Sequence, residues 1–264
     1  MIIPKRYADG FARHAAAKLF RKEAILTPPA PIVSFTFDDV PATAATVGAD
    51  LLNQAGAHGT YYVAGGLIGK VTDYHATCAS NDELIKLRNA GHEIACHTFS
   101  HRPLNTLSRT EINADLDLNA KALSQVQPTT ECQNFSYPFN RPTLMAKREL
   151  RRRYTSARGG IPGVNRGRAD LMFLKSIPLQ VAPVDGKTPS DWIAETAEQK
   201  GWLIFFTHDI AEDHSPFGTT PEALESAIAE ALAMGCEIRT VRSALTASNV
   251  PNHRPDSVTE QTAP

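Results

Sequence analysis

Five side chains in three short strings could together hydrolyse an amide or an ester with the help of a metal ion. Phe35-Thr36-Phe37-Asp38-Asp39 ends on two adjacent carboxylates. His97-Thr98-Phe99-Ser100-His101 carries two imidazoles four residues apart, and Phe206-Thr207-His208-Asp209 carries a third far downstream. His-x-x-x-His alone is a common and weak ligand spacing. A borderline-soft divalent ion, however, takes two imidazoles and one carboxylate readily and keeps a position open for water and substrate. Asp39 is then the natural third ligand beside His97 and His101. Asp38 projects differently from the chain and is free to act as general base. A cation so placed brings the pKa of water from ~15.7 towards ~7. His208 follows the apolar run Leu203-Ile204-Phe205-Phe206 and would be the general acid that protonates a leaving amine or alkoxide.

Structural roles compete with each of these. The Asp pair could cap a following helix, where Pro41 and Thr43 also look like start signals. Two adjacent ionised carboxylates at a buried strand end repel each other, though, and a cation relieves that repulsion most simply. His208 could be a buried histidine bonded to Asp209. His14, His58, His75, His92, His214 and His253 have no comparable setting and read as structural or exposed.

The elements that must position these groups alternate regularly. Short β-branched or aromatic runs at Ile32–Phe37, Thr60–Val63, Glu93–His97, Asn134–Tyr137, Tyr154–Ala157, Phe173–Ile177, Leu203–Thr207 and Glu237–Val241 read as strands, each followed by helical spacing. Gly56, Gly91, Gly201 and Gly235 sit where helices would end before strands. Ser108-Arg109-Thr110-Glu111 has the capping-box pattern, and Thr220-Pro221-Glu222 puts a cap before a first-turn proline. Such alternation implies a parallel sheet and an α/β fold. About eight units point to a closed or nearly closed barrel, with an open doubly wound sheet as the alternative. In a parallel barrel the active site lies at the C-terminal strand ends. Asp38 and Asp39, His97, Tyr137-Pro138-Phe139 and His208 all fall there.

The chain of 264 residues is 42% hydrophobic and 21% charged, enough for one sizeable core, and no run approaches the ~20 apolar residues of a membrane span. It reads as soluble. A formal charge of −1 and a pI near 6.8 offer no field for nucleic acid. Four cysteines without a CxxC pair, and no secretory h-region after Met1-Ile2-Ile3-Pro4, point to a cytoplasmic setting. Residues 1–30 read as a basic helical extension running to about Leu26 and a Pro-rich linker. Its helix would pack on the barrel or contact a membrane surface through residues 1–26. Residues 31–247 read as the barrel and 248–264 as a disordered tail.

With these residues in place the chain resembles the polysaccharide deacetylase family, also called the NodB-homology domain or carbohydrate esterase family four. Thr36-Phe37-Asp38-Asp39 matches its first motif, His97 to His101 its second, and His208 its late histidine motif. The resemblance runs from about Pro31 to Ala247. It implies a single distorted TIM-like (β/α) barrel. It also implies zinc, or cobalt, nickel or manganese, on Asp39, His97 and His101, with Asp38 as base and His208 as acid. The backbone N–H of Phe139 would help to hold the oxyanion. Two departures stand out. Val40 replaces the glycine that follows the Asp pair, and Ser136 stands where the third motif, here Ser136-Tyr137-Pro138-Phe139-Asn140, carries an arginine for the catalytic Asp. Arg141, Arg158 and Lys175 are the candidate replacements. Asp170, then Asp191, is the candidate to orient His208. The expected activity is metal-dependent removal of N-acetyl groups from an amino-sugar glycan or sugar intermediate, a hydrolysis of a non-peptide C–N bond. The alternatives are hydrolysis of another small amide or an O-acetyl ester, or a non-catalytic carbohydrate-binding protein on the same fold.

Overall fold

A computed structural model describes residues 19–128, 132–180 and 182–250. Strands form at each of the eight expected places, the sixth only at its last residue, and they pair in parallel. They are β2 (Ile32–Asp38), β3 (Thr60–Val63), β4 (Glu93–Cys96), β5 (Asn134–Ser136), β6 (Ser156–Arg158), β8 (Ile177–Pro178), β9 (Trp202–Thr207) and β10 (Glu237–Ile238). Their order is β6-β5-β4-β3-β2-β9-β8, with β10 against the start of β2. The sheet curls into a half-barrel. Its two edges are joined through Leu174, which donates to Ala157 O and accepts from Gly159 N, both at 2.9 Å.

The period of two along each strand separates an apolar outer face from a polar lumen. Val33, Phe35 and Phe37 of β2 and Leu203 and Phe205 of β9 face outward and share one core. Leu52 of α1 (Ala49–Gln54), Leu84 of α2 (Asn81–Asn89), Ile193 of α5 (Pro189–Gln199) and Leu224 and Ile228 of α6 (Pro221–Ala233) pack into the same core. Residues of the other parity meet in the lumen. Glu93 accepts from Thr60 Oγ1 at 3.0 Å and from Asn134 Nδ2 at 2.6 Å. Asn134 in turn accepts from Ser156 at 2.8 Å, and Trp202 Nε1 donates to Ser34 Oγ at 2.9 Å. This parity carries Asp38, Tyr62, Ser136, Arg158 and Phe206 to the same face.

Two helices complete the enclosure on the β5 side: α3 (Arg109–Val126), which starts on the expected Ser108–Glu111 capping box, and α4 (Leu144–Leu150). Thr220 caps α6 as its sequence implies. Gly56, Gly91 and Gly235 have positive φ at helix ends. At the end of α5 the left-handed residue is instead Lys200 (φ 50°). Gly201 serves a close approach, because a Cβ there would lie 2.3 Å from Val164 Cγ1.

The chain start departs from expectation. The basic segment was read as helical to about Leu26, but Glu23–Leu26 is a strand, β1, antiparallel to β7 (Gly167–Asp170). Residues 1–18, where the rest of that extension and its membrane contact were placed, lie outside the described residues. Among the described residues no helix is long and apolar enough to cross a membrane. The polar tail expected from residue 248 begins inside the fold: after α7 (Val241–Ala247), Ser248 and Val250 are buried. Residues 251–264 lie outside the described residues. The sixth expected strand, Phe173–Ile177, is mostly not one: Phe173 ends a short 3₁₀ turn, Leu171–Phe173, capped by Asp170, and only Ile177 belongs to β8.

Candidate active site

Asp39, His97 and His101 come together at the C-terminal ends of β2 and β4, with one ligand atom of each within 4.8 Å of the others. His97 Nε2 lies 3.7 Å and His101 Nε2 3.3 Å from Asp39 Oδ1. That oxygen is buried and accepts no hydrogen bond. A buried carboxylate oxygen without a donor is costly. A cation held among the three groups would relieve it, and burial keeps both imidazoles in the neutral form that a metal ligand requires. Burial pushes His97 down to about 3, against the pull of Asp38, and lowers His101 in the same way. The tautomer fits as well. His97 Nδ1 lies 2.9 Å from the Ser136 carbonyl, which can only accept, so Nδ1 carries the proton and the Nε2 lone pair faces Asp39. Burial, with the adjacent Asp38 adding and His208 opposing, raises Asp39 to about 6. The donor set therefore fits a divalent ion.

The local backbone that achieves this is strained. Asp39 (φ 58°) and Val40 (φ 55°) are both left-handed, which for a β-branched residue costs of the order of 1–3 kcal/mol. The turn is therefore left-handed at residue 40 although valine stands there in place of glycine. Val40 is fully buried, and its carbonyl accepts from Ala79 N at 2.8 Å. The His97–His101 loop is also left-handed at Thr98 (φ 67°) and His101 (φ 49°). Asp115 of α3 pins it by accepting from Phe99 N at 2.8 Å and Ser100 N at 3.1 Å. Gly66 N donates to Phe99 O at 2.8 Å, an approach that a Cβ on Gly66 would block at 2.5 Å.

Asp38 points into the lumen and meets Arg158, which ends β6. Arg158 Nη2 donates to both Asp38 oxygens, to Oδ1 at 2.6 Å, and to Ser136 Oγ. Ser136 Oγ itself lies 3.4 Å from each Asp38 oxygen. Of the three candidate cations, Arg158 takes the place. Arg141 is exposed, and Lys175 Nζ reaches the Val164 carbonyl. The guanidinium is fully buried between Tyr62 (5.2 Å) and Phe206 (4.7 Å), a favourable setting for a desolvated cation. Burial alone would raise Asp38, but Arg158, His97 and His208 hold it below the usual carboxylate range.

His208 directly follows β9, with Nε2 4.0 Å from Asp39 Oδ2, the oxygen opposite the histidine pair. Neither expected aspartate stands behind it. Asp170 is in a buried ion pair with Lys147 and accepts from Lys22 N and Met172 N. Asp191 closes the capping box of α5 with Thr188. Asp209 is also engaged elsewhere, accepting from Ser215 N and Oγ, both at 2.6 Å. His208 Nδ1 is buried without a hydrogen-bond partner. The ring is packed by Tyr74 (5.8 Å, edge-on) and Phe217 (5.5 Å). Phe139 (φ 57°) and Asn140 (φ 52°) are both left-handed. The half-exposed Phe139 ring covers His101 at 4.7 Å and puts residue 139 at the rim of the site.

The structure thus brings the five side chains singled out in the sequence to the same strand ends, and of the three unranked cations it sets Arg158 beside Asp38. Sequence reasoning missed Tyr74 and Asp115. Arg158 could have been found by the strand-end rule, since it is one residue beyond the expected strand. Tyr74 and Asp115 carry no motif.

Comparisons with known proteins bear on the family and the fold. A family model described as polysaccharide deacetylase matches residues 26–154. A probable peptidoglycan-N-acetylglucosamine deacetylase of Arthroderma benhamiae is 31% identical over 101 residues, 37% of this chain and 22% of that relative's length. Among solved structures, a family 4 acetyl xylan esterase from Clostridium thermocellum in complex with a cobalt ion aligns with a TM-score of 0.56 at 23% identity. That alignment covers 83% of this chain and 93% of the esterase. A family 4 carbohydrate esterase of Bacillus subtilis aligns with a TM-score of 0.58 at 15% identity, covering 89% and 88%. At these identities the structural likeness is one of fold.

Proposed function

We propose that this chain, which belongs to the polysaccharide deacetylase family through residues 26–154, is a metal-dependent hydrolase that removes N-acetyl groups from an amino-sugar glycan or sugar intermediate. One observation carries the reading: a three-ligand cluster with an orphaned carboxylate oxygen lies between an ionised aspartate and a histidine near that cluster's carboxylate. Asp39, His97 and His101 would hold a divalent ion, zinc foremost and cobalt, nickel or manganese otherwise. When bound, the ion would polarise the acetyl carbonyl and lower the pKa of water. The chain's own groups do the rest. Asp38, kept ionised by Arg158, accepts the proton of the attacking water. The Phe139 N–H stabilises negative charge on the former carbonyl oxygen. His208 gives a proton from Nε2 to the departing nitrogen, which is a poor leaving group until protonated.

The test is acetate release from N-acetylglucosamine oligomers and from O-acetylated xylan, on protein stripped with chelator and then reloaded with zinc or cobalt. Turnover of the N-acetyl substrate that vanishes on stripping and returns on reloading is the expected result. Release from the ester alone would make the protein an O-acetyl esterase. Glycan binding of equal strength with and without metal, and no acetate from either substrate, would favour the non-catalytic binding protein.

A further inference from the structure

We infer that Tyr74 is a positioning residue for both halves of this site: its hydroxyl fixes how Asp39 presents itself as a ligand, and its ring fixes the acid His208. The inference rests on the metal reading above. Tyr74 is half-buried near the tip of a hairpin over residues 70–78. Val71 pairs with Thr77, Cys78 N donates to Lys70 O at 2.8 Å, and His75 takes a left-handed turn (φ 65°). The base of the hairpin is bonded to the segment after the Asp pair. Pro41 pairs with Cys78, Ala42 N donates to Thr77 O at 2.8 Å, and Ala79 N donates to Val40 O at 2.8 Å. Tyr74 and the strained Asp39–Val40 turn are thus parts of one hydrogen-bonded body.

The contacts at the tip divide the labour of the carboxylate. Tyr74 Oη donates to Asp39 Oδ2 at 3.1 Å, while Oδ1 is left to the two imidazoles and has no donor of its own. A carboxylate free to turn about its last bond could offer either oxygen, or both. One with a phenol on Oδ2 offers Oδ1 in a fixed direction, as partners of ligand groups commonly arrange. The same ring meets His208 edge-on at 5.8 Å and Phe217 at 5.6 Å, and Phe217 closes the triangle on His208 at 5.5 Å. With Nδ1 of His208 unbonded, these rings rather than a hydrogen bond set the direction of the imidazole. Tyr74 thereby ties the ligand carboxylate to the acid.

Hydroxyl and ring can be separated. Tyr74→Phe keeps the ring, so cobalt or zinc affinity, measured by competition with a chromophoric chelator, should weaken about 10- to 100-fold. kcat at saturating metal should remain close to wild type. Tyr74→Leu removes the ring as well, and kcat at saturating metal should then fall at least tenfold with KM little changed. Val71→Ser, on the same hairpin at a position 63% exposed, should bind the ion as wild type does. Equal metal affinity of wild type and Tyr74→Phe would overturn the inference while leaving the metal reading intact. An equal loss in Val71→Ser and Tyr74→Phe would also overturn it, since loosening of the hairpin would then be the cause. Wild type that binds no ion would overturn the metal reading and the inference together.

Discussion

Arg158 shows how a motif can lose a residue and keep its chemistry. The third motif lacks its arginine, and the structure returns the charge from the neighbouring strand, with Ser136 small enough to leave it room and to add a hydroxyl contact. The serine at the third motif's arginine position therefore does not leave Asp38 without a cation. The ion pair also makes a prediction. Both partners of the pair are buried, and deleting one member of such a pair typically costs about 3–5 kcal/mol because the other charge is stranded. Arg158→Met should therefore destabilise the fold by that order and reduce turnover at least a hundredfold. Asp38→Asn added to Arg158→Met removes the stranded charge, so stability should recover by more than half while the protein stays inactive. Asp38→Asn alone should still bind metal but not turn over. Urea unfolding of the four proteins checks the first part, and acetate release and metal titration check the second. A double variant no more stable than Arg158→Met would show that the pair is not what the lumen needs.

At the scale of elements, the functional loops are held by groups that lie on other elements. Asp115, in the second turn of α3, accepts two backbone N–H groups of the loop between His97 and His101, whose left-handed residues need external support. Asp115→Ala should leave the helix intact and weaken metal affinity by about tenfold. Asp115→Asn, which retains one acceptor oxygen, should lose less, and chelator competition distinguishes the two. The strands themselves were legible because their signals are local. Thr60–Val63 was read to the residue, and the caps at Ser108 and Thr220 were plain in the sequence. What could not be read depends on distant partners. Glu23–Leu26 looks like the end of a basic helix until Gly167–Asp170 offers it an edge more than 140 residues away. Asp170 was the first candidate to orient His208, but Lys147, buried on α4, claims it. Arg158 stayed unranked among three cations because the strand was ended one residue early. Tyr74 is made a site residue only by the hairpin's docking on Pro41 and Ala42, a contact that periodicity cannot signal.

For the molecule as a whole, folding brings buried titrating groups to both ends of the half-barrel, and they oppose each other as pH falls. At the N-terminal strand ends His92 is buried. Its Nδ1 accepts from Gly59 N at 3.0 Å, and Nε2 has no partner. Burial, with His58 adding, pushes it down from 6.5 to about 4. The unfolded chain therefore takes up a proton first, and stability is lost as pH falls from about 6.5 towards 4. At the other end Asp39, raised from 3.8 to about 6 in the metal-free protein, has the reverse sign. The folded state holds its proton longer and gains stability over the same interval. The net slope of the stripped protein is thus a difference, and His92 must be isolated by substitution. His92→Gln keeps an acceptor for Gly59 and cannot titrate. Its stability should fall by about 1–2 kcal/mol less than that of wild type between pH 7.5 and pH 5, measured by urea unfolding in excess chelator. Because the imidazole is at the opposite strand ends from the ligands, the difference should persist when the protein is loaded with zinc, even as metal binding removes the opposing contribution of Asp39. A His92→Gln protein that loses stability as steeply as wild type in both states would place the acid sensitivity elsewhere in the fold.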